Sequence, residues 1–442
     1  MDMTPYFKRP VTSRASVDEM CCLLKENRAG KRRGIYSVCS ANSQVLEAAF
    51  AQAADDHSPL LIEATCNQVN QEGGYTGQTP AQFREYVYTI AKDMDFSTER
   101  LILGGDHLGP NPWRVQSAAT AMEKACAMVS AYAAAGFSKI HLDASMPCGD
   151  DPRRLANEEI ADRAARLCDA AETAARNFSN EPVYVIGTEV PTPGGALEEM
   201  EIAVTTTSSL QETLDTHRQA FSRKKLASAW DRIIGVVVQP GVEFGNETVA
   251  DYVQEKASHL AEFIVRQSGV VFEAHSTDYQ TTESLSQLVS DHFGILKVGP
   301  ELTFMMRQAI FGLARIEEEW IAEKRRSDIR ITIDRAMVEH PENWKAYYHG
   351  NESPLKVARA FSLSDRIRYY WPNAEVSKAL SVLIRNLQEH PAPLPLVAQY
   401  LPRQAEAIRA CTIKNEPCAI IRHKIQESLS RYSEACGMTF HE

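Results

Sequence analysis

An adjacent aspartate and histidine stand at the end of an apolar run of this chain. In LILGGDHLGPNPW, Asp106 and His107 follow LIL and two glycines, and Gly109 and Pro110 come shortly afterwards. Histidine is a frequent metal ligand, and an aspartate can exchange protons with a substrate. Neighbouring side chains of an extended strand point to opposite faces, but the glycines favour a bent backbone that turns both side chains to one side. The pair predicts an acid/base group beside a metal ligand, and a structural hydrogen-bonded Asp–His pair is the alternative.

Two further motifs place imidazole and carboxylate groups at the ends of β-type runs. In VVFEAHSTDYQ, Glu273 and His275 have the same strand parity and face one side, with Asp278 close behind. His275 is the natural second metal ligand, against the alternative of a satisfied core histidine. In KIHLDAS, Asp143 shares parity with His141, so Asp143 is a further candidate for a functional carboxylate.

Two other carboxylates and one loop are weaker candidates. Glu189 in VIGTEVPTPGG precedes a Pro/Gly-rich loop, where it can ligate a metal or carry a proton, or else form a salt bridge. Glu63 in LLIEAT is evenly balanced between a functional and a structural role. The glycine-rich NQEGGYTG at 70–77 is placed to close over a substrate.

A basic segment near the C-terminus can hold a phosphate. SLSDRIRYYW carries Ser364, Arg366 and Arg368 among aromatic residues at a possible helix start. Phosphate binding uses backbone N–H groups and arginine forks. An internally paired or solvated arginine cluster is the alternative interpretation.

The elements that position these residues alternate regularly. Apolar, β-branched runs separated by Ala- and Glu-rich helical stretches give eight strand–helix units, which predicts an α/β fold of the TIM (β/α)8 type. The predicted strands are 34–40, 60–65, 101–107, 139–145, 183–189, 232–239, 270–275 and 294–298. We expect a helical leader over 1–30, the barrel over 31–315 and a helical region over 316–442.

The amino-acid composition of the chain limits which molecules it is expected to bind and where it is expected to occur. The chain has 47 basic and 58 acidic residues in 442, a net charge of −11 that disfavours nucleic acid and anionic membranes. Ten cysteines without a CxxC pair indicate reduced thiols in the cytoplasm. We expect neither export nor membrane insertion, because no apolar signal core or apolar run of ~18 residues occurs. The sequence has no P-loop and no GxGxxG motif at a strand-to-helix turn, which argues against a kinase.

Taken together, the motifs resemble the GatZ/KbaZ family from about Gly34 to Arg403. The resemblance is carried by SVCSAN, IEATCNQVNQEGGYTG, LGGDHLGPN, AGFSKIHLDASM, VIGTEVPTPGG, VVVQPGVEF, EAHSTDYQ, LKVGPELTF and SLSDRIRYYWP. It implies a barrel related to class II tagatose-bisphosphate aldolases that acts on ketose phosphates of galactitol and tagatose catabolism. Members of the family have been assigned as stabilising aldolase subunits, as tagatose-6-phosphate kinases and as ketose-phosphate 4-epimerases.

From this resemblance we predict a 4-epimerase acting on D-tagatose 6-phosphate and D-fructose 6-phosphate. Inversion at C4 would proceed by aldol cleavage and reclosure, because the C4 proton is not α to the C2 carbonyl and its removal would leave an unstabilised carbanion. A divalent metal, zinc or alternatively manganese, would be held by His107, His275 and Glu189. Asp106 would exchange the C4-hydroxyl proton, with Asp143 or Glu273 as alternatives.

The second interpretation is a non-catalytic subunit that stabilises a class II D-tagatose-1,6-bisphosphate aldolase chain. The polar strand ends favour the enzyme over the subunit. The partners expected under the two interpretations are a ketose phosphate and an aldolase catalytic subunit.

Overall fold

A computed structural model of the chain describes residues 14–176, 181–190, 202–267 and 269–439. The chain divides into two compact units. The first comprises Met1–Leu23, Pro59–Thr188 and Gln211–Val236, and the second Leu24–Ser58, Glu189–Leu210 and Val237–Glu442. The predicted boundaries at residues 30 and 315 stay a prediction.

Eight parallel strands form a closed barrel, as predicted, in the order β1-β10-β9-β6-β5-β4-β3-β2. The strands are β1 (Ile35–Val38), β2 (Leu60–Thr65), β3 (Leu101–Leu108), β4 (Lys139–Leu142), β5 (Val183–Ile186), β6 (Ile233–Val237), β9 (Val271–Ala274) and β10 (Ile295–Val298). Between β6 and β9 lies a short antiparallel hairpin of β7 (Glu243–Phe244) and β8 (Val249–Ala250), which the sequence analysis did not predict. The barrel strands are almost wholly buried, which explains why they stand out as continuous apolar runs rather than alternating ones.

Helices follow the strands and continue beyond the barrel. They are α1 (Arg14–Arg28), α2 (Ser43–Asp55), α3 (Pro80–Asp93), α4 (Ala118–Ala134), α5 (Asn157–Ala175), α6 (Thr207–Arg223), α7 (Ala227–Trp230), α8 (Gln254–Ile264), α9 (Thr282–Ser290), α10 (Pro300–Trp320), α11 (Ile329–Glu339), α12 (Glu352–Phe361), α13 (Ala374–Glu389), α14 (Leu394–Tyr400), α15 (Pro402–Arg409) and α16 (Pro417–Ala435). The helical C-terminal third is therefore confirmed, whereas the helical leader over 1–30 stays a prediction, with α1 beginning at Arg14. Within the described ranges, no helix combines the length and the apolar character that crossing a bilayer requires.

The first unit contains β2 to β5 in continuous parallel pairing. Two of its helices, α3 and α4, begin at side-chain caps. Thr79 and Gln82 make a capping box at the start of α3, and Ser117 caps α4. A capped start of this kind typically contributes about 1 kcal/mol, so the direction in which each helix leaves its strand is defined locally.

The second unit pairs β1 with β10 and β10 with β9. Helix α16, near the end of the chain, packs against α2, α9, α10 and β1 of this unit. Its buried residues Ile421, Ile425 and Leu429 recur at helical spacing. The C-terminal helices are thus integrated with the second unit's strands by apolar contact.

One glycine of the first unit determines how closely β3 and β4 approach at their ends. A Cβ atom added to Gly109 would lie only 1.6 Å from the backbone oxygen of Asp143. Because the obstacle is backbone, no rotamer change can relieve the overlap. The loop after β3 therefore lies directly against the loop after β4.

We predict that Gly109→Ala lowers the free energy of unfolding by about 3 kcal/mol or more, because the two loops must separate. Urea unfolding measures the change. Gly30→Ala is the control: Gly30 has φ +85 with no described heavy atom within 4 Å of the added Cβ, so it should cost only about 1 kcal/mol of backbone strain. Equal losses in the two variants would contradict the close approach.

Candidate active site

Glycine at position 104 allows a buried ion pair to form across β3. In the sheet, Gly104 lies opposite Glu63 of β2 on one side and Lys139 of β4 on the other. The Lys139 Nζ is 2.5 Å from the Glu63 Oε1, and neither side chain is exposed. A Cβ at position 104 would lie 2.7 Å from the Cγ of Glu63, so the missing side chain provides the space. Glu63 thus has a structural partner that the sequence analysis did not identify.

The end of β3 carries both Asp106 and His107 towards β4. The register between β3 and β4 shifts between Gly105 and Leu108, and His107 has φ 50, in the left-handed region. Such a bulge rotates one side chain relative to its neighbours. The bent backbone expected from the glycines is confirmed, and both side chains contact groups at the end of β4.

Two Asp–His contacts connect β3 to β4. The His107 Nδ1 is 2.8 Å from the Asp143 Oδ2, and the His141 Nδ1 is 3.1 Å from the Asp106 Oδ1. The backbone N–H of His107 also donates to the His141 Nδ1 at 3.2 Å. The two imidazole rings lie 5.1 Å apart, and all four side chains are buried. The first unit therefore holds a compact cluster of two imidazoles and two carboxylates.

Asp143 is held as a carboxylate by its neighbours. Burial raises its pKa, but the hydrogen bond with His107 and the electrostatic interactions with the His107 and His141 rings outweigh burial and lower the pKa to about 2. The Ser145 N–H and hydroxyl both donate to the other carboxylate oxygen, at 3.1 and 2.6 Å. A carboxylate that is this well satisfied orients His107 and is a poor proton acceptor.

The end of β9 carries the second predicted pair. The His275 Nε2 lies 3.0 Å from the Glu273 Oε1, and both residues are buried, which fits their shared parity. The Lys297 Nζ, on β10, is 3.8 Å from the same Glu273 oxygen. A lysine within the otherwise apolar strand ILKV was the available signal for this partner, as Lys139 in KIHL was for Glu63.

Asp278 follows this pair and lies at the start of α10. Its Oδ1 accepts hydrogen bonds from the backbone N–H groups of Gly299 and Glu301, at 3.0 and 2.8 Å. Burial, followed by the charge of Glu301, raises the pKa of Asp278 to about 7. This carboxyl group therefore titrates near neutral pH, unlike Asp143.

Glu189 lies apart from both pairs. Its two carboxylate oxygens accept hydrogen bonds from the Thr205 and Ser209 hydroxyls, at 2.5 and 2.6 Å. These partners stand at the beginning of α6, so Glu189 connects the end of β5 to that helix. The residues 191–201 of the Pro/Gly-rich loop lie outside the described part of the chain.

The three predicted phosphate-binding residues lie in one short segment. The arginine side chains there donate hydrogen bonds mainly to backbone carbonyls. The Arg366 Nε donates to the Asn343 carbonyl, and Arg368 donates to the carbonyls of Ser364 and Asp365. The Arg366 guanidinium lies 3.4 Å from the centre of the Tyr347 ring, and Arg366 is buried. The Ser364 hydroxyl donates to the Asn246 side chain at 2.8 Å. A phosphate role for these three residues stays a prediction.

Each unit carries buried imidazole and carboxylate groups of the kind that bind a metal ion. In the first unit the His141 Nδ1 lies 3.1 Å from the Asp106 Oδ1, and in the second unit the His275 Nε2 lies 3.0 Å from the Glu273 Oε1. Imidazole and carboxylate groups are typical ligands of zinc or manganese. The sequence analysis named His107 and not His141 as a ligand, and the ligand roles of His107, His275 and Glu189 stay predictions.

An eight-stranded parallel barrel with ionisable groups at the carboxyl ends of its strands is the architecture of many (β/α)8 enzymes. The chain belongs to the family described as D-tagatose-1,6-bisphosphate aldolase subunit GatZ/KbaZ-like, whose sequence pattern matches residues 20–437.

Solved structures resemble the chain to different degrees. A protein from Sinorhizobium meliloti 1021 described as a probable tagatose 6 phosphate kinase is 44% identical, with a TM-score of 0.85 over 91% of this chain and 100% of that one. The YdjI aldolase from Escherichia coli K12 is 10% identical, with a TM-score of 0.42 over 82% of this chain and 94% of that one. Fructose-bisphosphate aldolase from Campylobacter jejuni is 14% identical, with a TM-score of 0.43 over 85% and 93%.

We predict that Asp143→Asn lowers the free energy of unfolding at neutral pH and flattens its dependence on acid. The pKa of Asp143 lies at about 2, below its ordinary 3.8, so its contribution of about 2 kcal/mol is present above pH 4 and lost as the pH falls towards 2. Urea unfolding of wild type and variant across this range measures the difference.

The difference between the two proteins should shrink steadily from about pH 4 to about pH 2. Asp162→Asn is the control, because this exposed carboxylate pairs with the equally exposed Arg223. A constant difference across the range would contradict the role given to the His107 contact.

Proposed function

We propose that the protein is a cytoplasmic epimerase that interconverts D-tagatose 6-phosphate and D-fructose 6-phosphate in galactitol and tagatose catabolism. The observation that carries the proposal is the buried set of imidazoles and carboxylates at strand ends in a family described by its tagatose-bisphosphate aldolase subunits. An aldolase type of bond cleavage is also the simplest route to inversion at C4 of a ketose. A purely stabilising chain has no need of such a buried set.

The residues present fit a divalent metal. His141 and His275 are the candidate imidazole ligands of zinc or manganese, and His107 stays the alternative imidazole because Asp143 orients its ring. When bound, the ion would polarise the C2 carbonyl and stabilise the enediolate charge. Glu189 is the weakest of the proposed ligands, since both of its oxygens accept hydrogen bonds from hydroxyl groups.

The proton of the C4 hydroxyl is the one that the protein must move. In the proposed step a carboxylate accepts it, the C3–C4 bond breaks with its electron pair on the three-carbon ketone fragment, and C4 becomes the aldehyde of glyceraldehyde 3-phosphate. After the aldehyde turns over, C3 attacks its opposite face and the C4 oxygen recovers the proton. No oxidant or second substrate is consumed.

Asp106 is the preferred proton acceptor in this step. Asp143 is disfavoured because its pKa of about 2 and its three hydrogen-bond contacts make it a weak base. Glu273 lies 3.0 Å from the His275 Nε2 and 3.8 Å from the Lys297 Nζ and stays the other alternative. Ser364, Arg366 and Arg368 stay the proposed phosphate contacts.

A second candidate is a stabilising subunit of a class II D-tagatose-1,6-bisphosphate aldolase. The family's own description, which names an aldolase subunit, favours it. In that role the buried charged groups would serve the barrel's stability, and the partner would be the catalytic aldolase chain.

We expect the purified chain alone, supplied with Zn²⁺ or Mn²⁺, to convert fructose 6-phosphate into tagatose 6-phosphate, and chelation to abolish the conversion. Anion-exchange chromatography of the sugar phosphates measures it. In D₂O the product should carry no deuterium at C4, because cleavage never breaks that C–H bond.

Each other result identifies an alternative. Conversion that appears only when an aldolase chain is added, or aldolase stimulation without conversion, supports the subunit. Deuterium at C4 contradicts the cleavage step. A bisphosphate formed from ATP and tagatose 6-phosphate would indicate a kinase.

We expect His275→Ala and His141→Ala to lose bound metal and conversion rate together, because each removes one proposed ligand. Metal content is measured by mass spectrometry after dialysis, and His107→Ala tests the alternative imidazole. His217→Ala is the control, since His217 is equally buried and, among the described residues, its Nδ1 bonds the Thr213 carbonyl. Full retention of metal by a variant removes that residue from the ligand set.

A further inference from the structure

A cavity of about 600 Å³ lies among the C-terminal helices of the second unit. Its lining comes from α10, α11, α12, from α14 and α15, and from α16. A volume of this size falls within the range of small-molecule pockets, which is about 300–1,000 Å³. We refer to it as the helical pocket.

One part of the helical pocket is aromatic. The rings that line it are Phe304, Phe311, Phe361 and Tyr400. Phe311 and Phe361 meet edge to face with centroids 6.1 Å apart, and Phe361 is 52% exposed. An exposed phenylalanine next to a cavity presents a ring surface for another planar group.

The charged part of the lining has a single sign. Among the described residues, the charged side chains that line the helical pocket are all basic: Arg307, Arg315, Arg330, Arg403 and Lys424. The chain as a whole has a net charge of −11, so this concentration runs against its composition. Basic groups gathered in a concave site attract anions.

The carboxylates around the helical pocket do not balance these cations. Glu318 forms ion pairs with both Arg315 and Arg330, the latter at 3.8 Å. Glu427 forms ion pairs with both Arg403 and Lys424, at 3.6 and 2.9 Å. In the described part of the chain, these four cations thus share two carboxylates.

Arg307 forms an ion pair with Asp365, and the Arg307 Nε lies 3.2 Å from the Asp365 Oδ1. Arg307 also lies over the Phe304 ring, 4.3 Å from its centre.

Arg330 combines the two properties of the lining. Its guanidinium lies over the Phe311 ring, 5.4 Å from the centre, and among the described residues its buried Nε has no hydrogen-bond partner. Burial and the charge of Arg315 both lower the pKa of Arg330. A buried donor without an acceptor costs free energy unless a ligand provides the acceptor.

We propose that the helical pocket binds a small anion that carries an aromatic ring, of the chemical class of a nucleoside monophosphate. The ring would pack on Phe311 and Phe361, and the phosphate would accept hydrogen bonds from Arg315 and Arg330. Arginine forks match phosphate oxygens in geometry, and planar rings stack on phenylalanine. This binding is independent of the proposed epimerase activity, because none of the residues at the strand ends lines this cavity.

Isothermal titration of the full chain with AMP tests the proposal, with each half of the ligand tested separately. AMP should bind at least tenfold more tightly than adenosine, which lacks the charge, and than inorganic phosphate, which lacks the ring. Octanoate adds the charge on a flexible chain and should also bind more weakly than AMP. Adenosine or phosphate equal to AMP, octanoate tighter than AMP, or no binding of AMP at all would overturn the proposal.

Variants place the binding in the helical pocket. Arg330→Gln and Arg315→Gln should each weaken AMP at least tenfold, and Phe361→Ala should weaken AMP while leaving phosphate unchanged. Phe361 and Arg315 are exposed, so these two variants test the pocket even if Arg330→Gln does not fold.

Arg335→Gln is the matched control, because Arg335 is an equally exposed arginine paired with one glutamate outside the pocket. AMP affinity that is unchanged in all three pocket variants, or lowered equally by the control, would also overturn the proposal.

Discussion

Ionisable side chains placed among barrel strands remain charged only where each one has a partner, and much of this structure follows from that requirement. An unpaired buried charge costs several kcal/mol, whereas a paired one costs far less. Glu63 has Lys139, Asp143 has His107, and Glu273 has His275. The polar residues of the strands therefore come in pairs, either on neighbouring strands or at the end of one strand. Chemistry becomes available because the same pairs hold imidazoles in fixed orientations.

The glycines of β3 and its loop make this pairing sterically possible. Gly104 leaves the space that Glu63 needs, and Gly109 lets the loop after β3 lie against the backbone of Asp143. The left-handed conformation of His107 completes the bend. The glycines and the charged residues therefore depend on one another, because a larger side chain at either glycine position would keep the charged groups apart.

In the C-terminal region, two groups of arginines differ in how their charges and donors are paired. In the segment after α12, arginines satisfy their donors with backbone carbonyls, as Arg366 and Arg368 do. Around the helical pocket, by contrast, Arg315 and Arg330 share a single carboxylate. Arg366 and Arg368 thus use their donors within the protein, whereas Arg315 and Arg330 leave positive charge beside aromatic rings. Two arginine clusters of similar composition therefore differ in what they can bind.

The sequence by itself determined the barrel and the residue types at its strand ends, because buried parallel strands leave apolar runs that end in polar residues. All eight strands were predicted close to their observed bounds, although the fourth and fifth end earlier than expected, at Leu142 and Ile186. Asp106 with His107 and Glu273 with His275 were likewise evident from spacing.

Only the tertiary structure decided which residues meet. His141 joins Asp106, while His107 turns to Asp143, because a one-residue bulge reassigns neighbouring side chains, and no local pattern reports a register shift. Lys139 and Lys297 became partners of glutamates on adjacent strands, and such pairing depends on contacts between residues far apart in sequence.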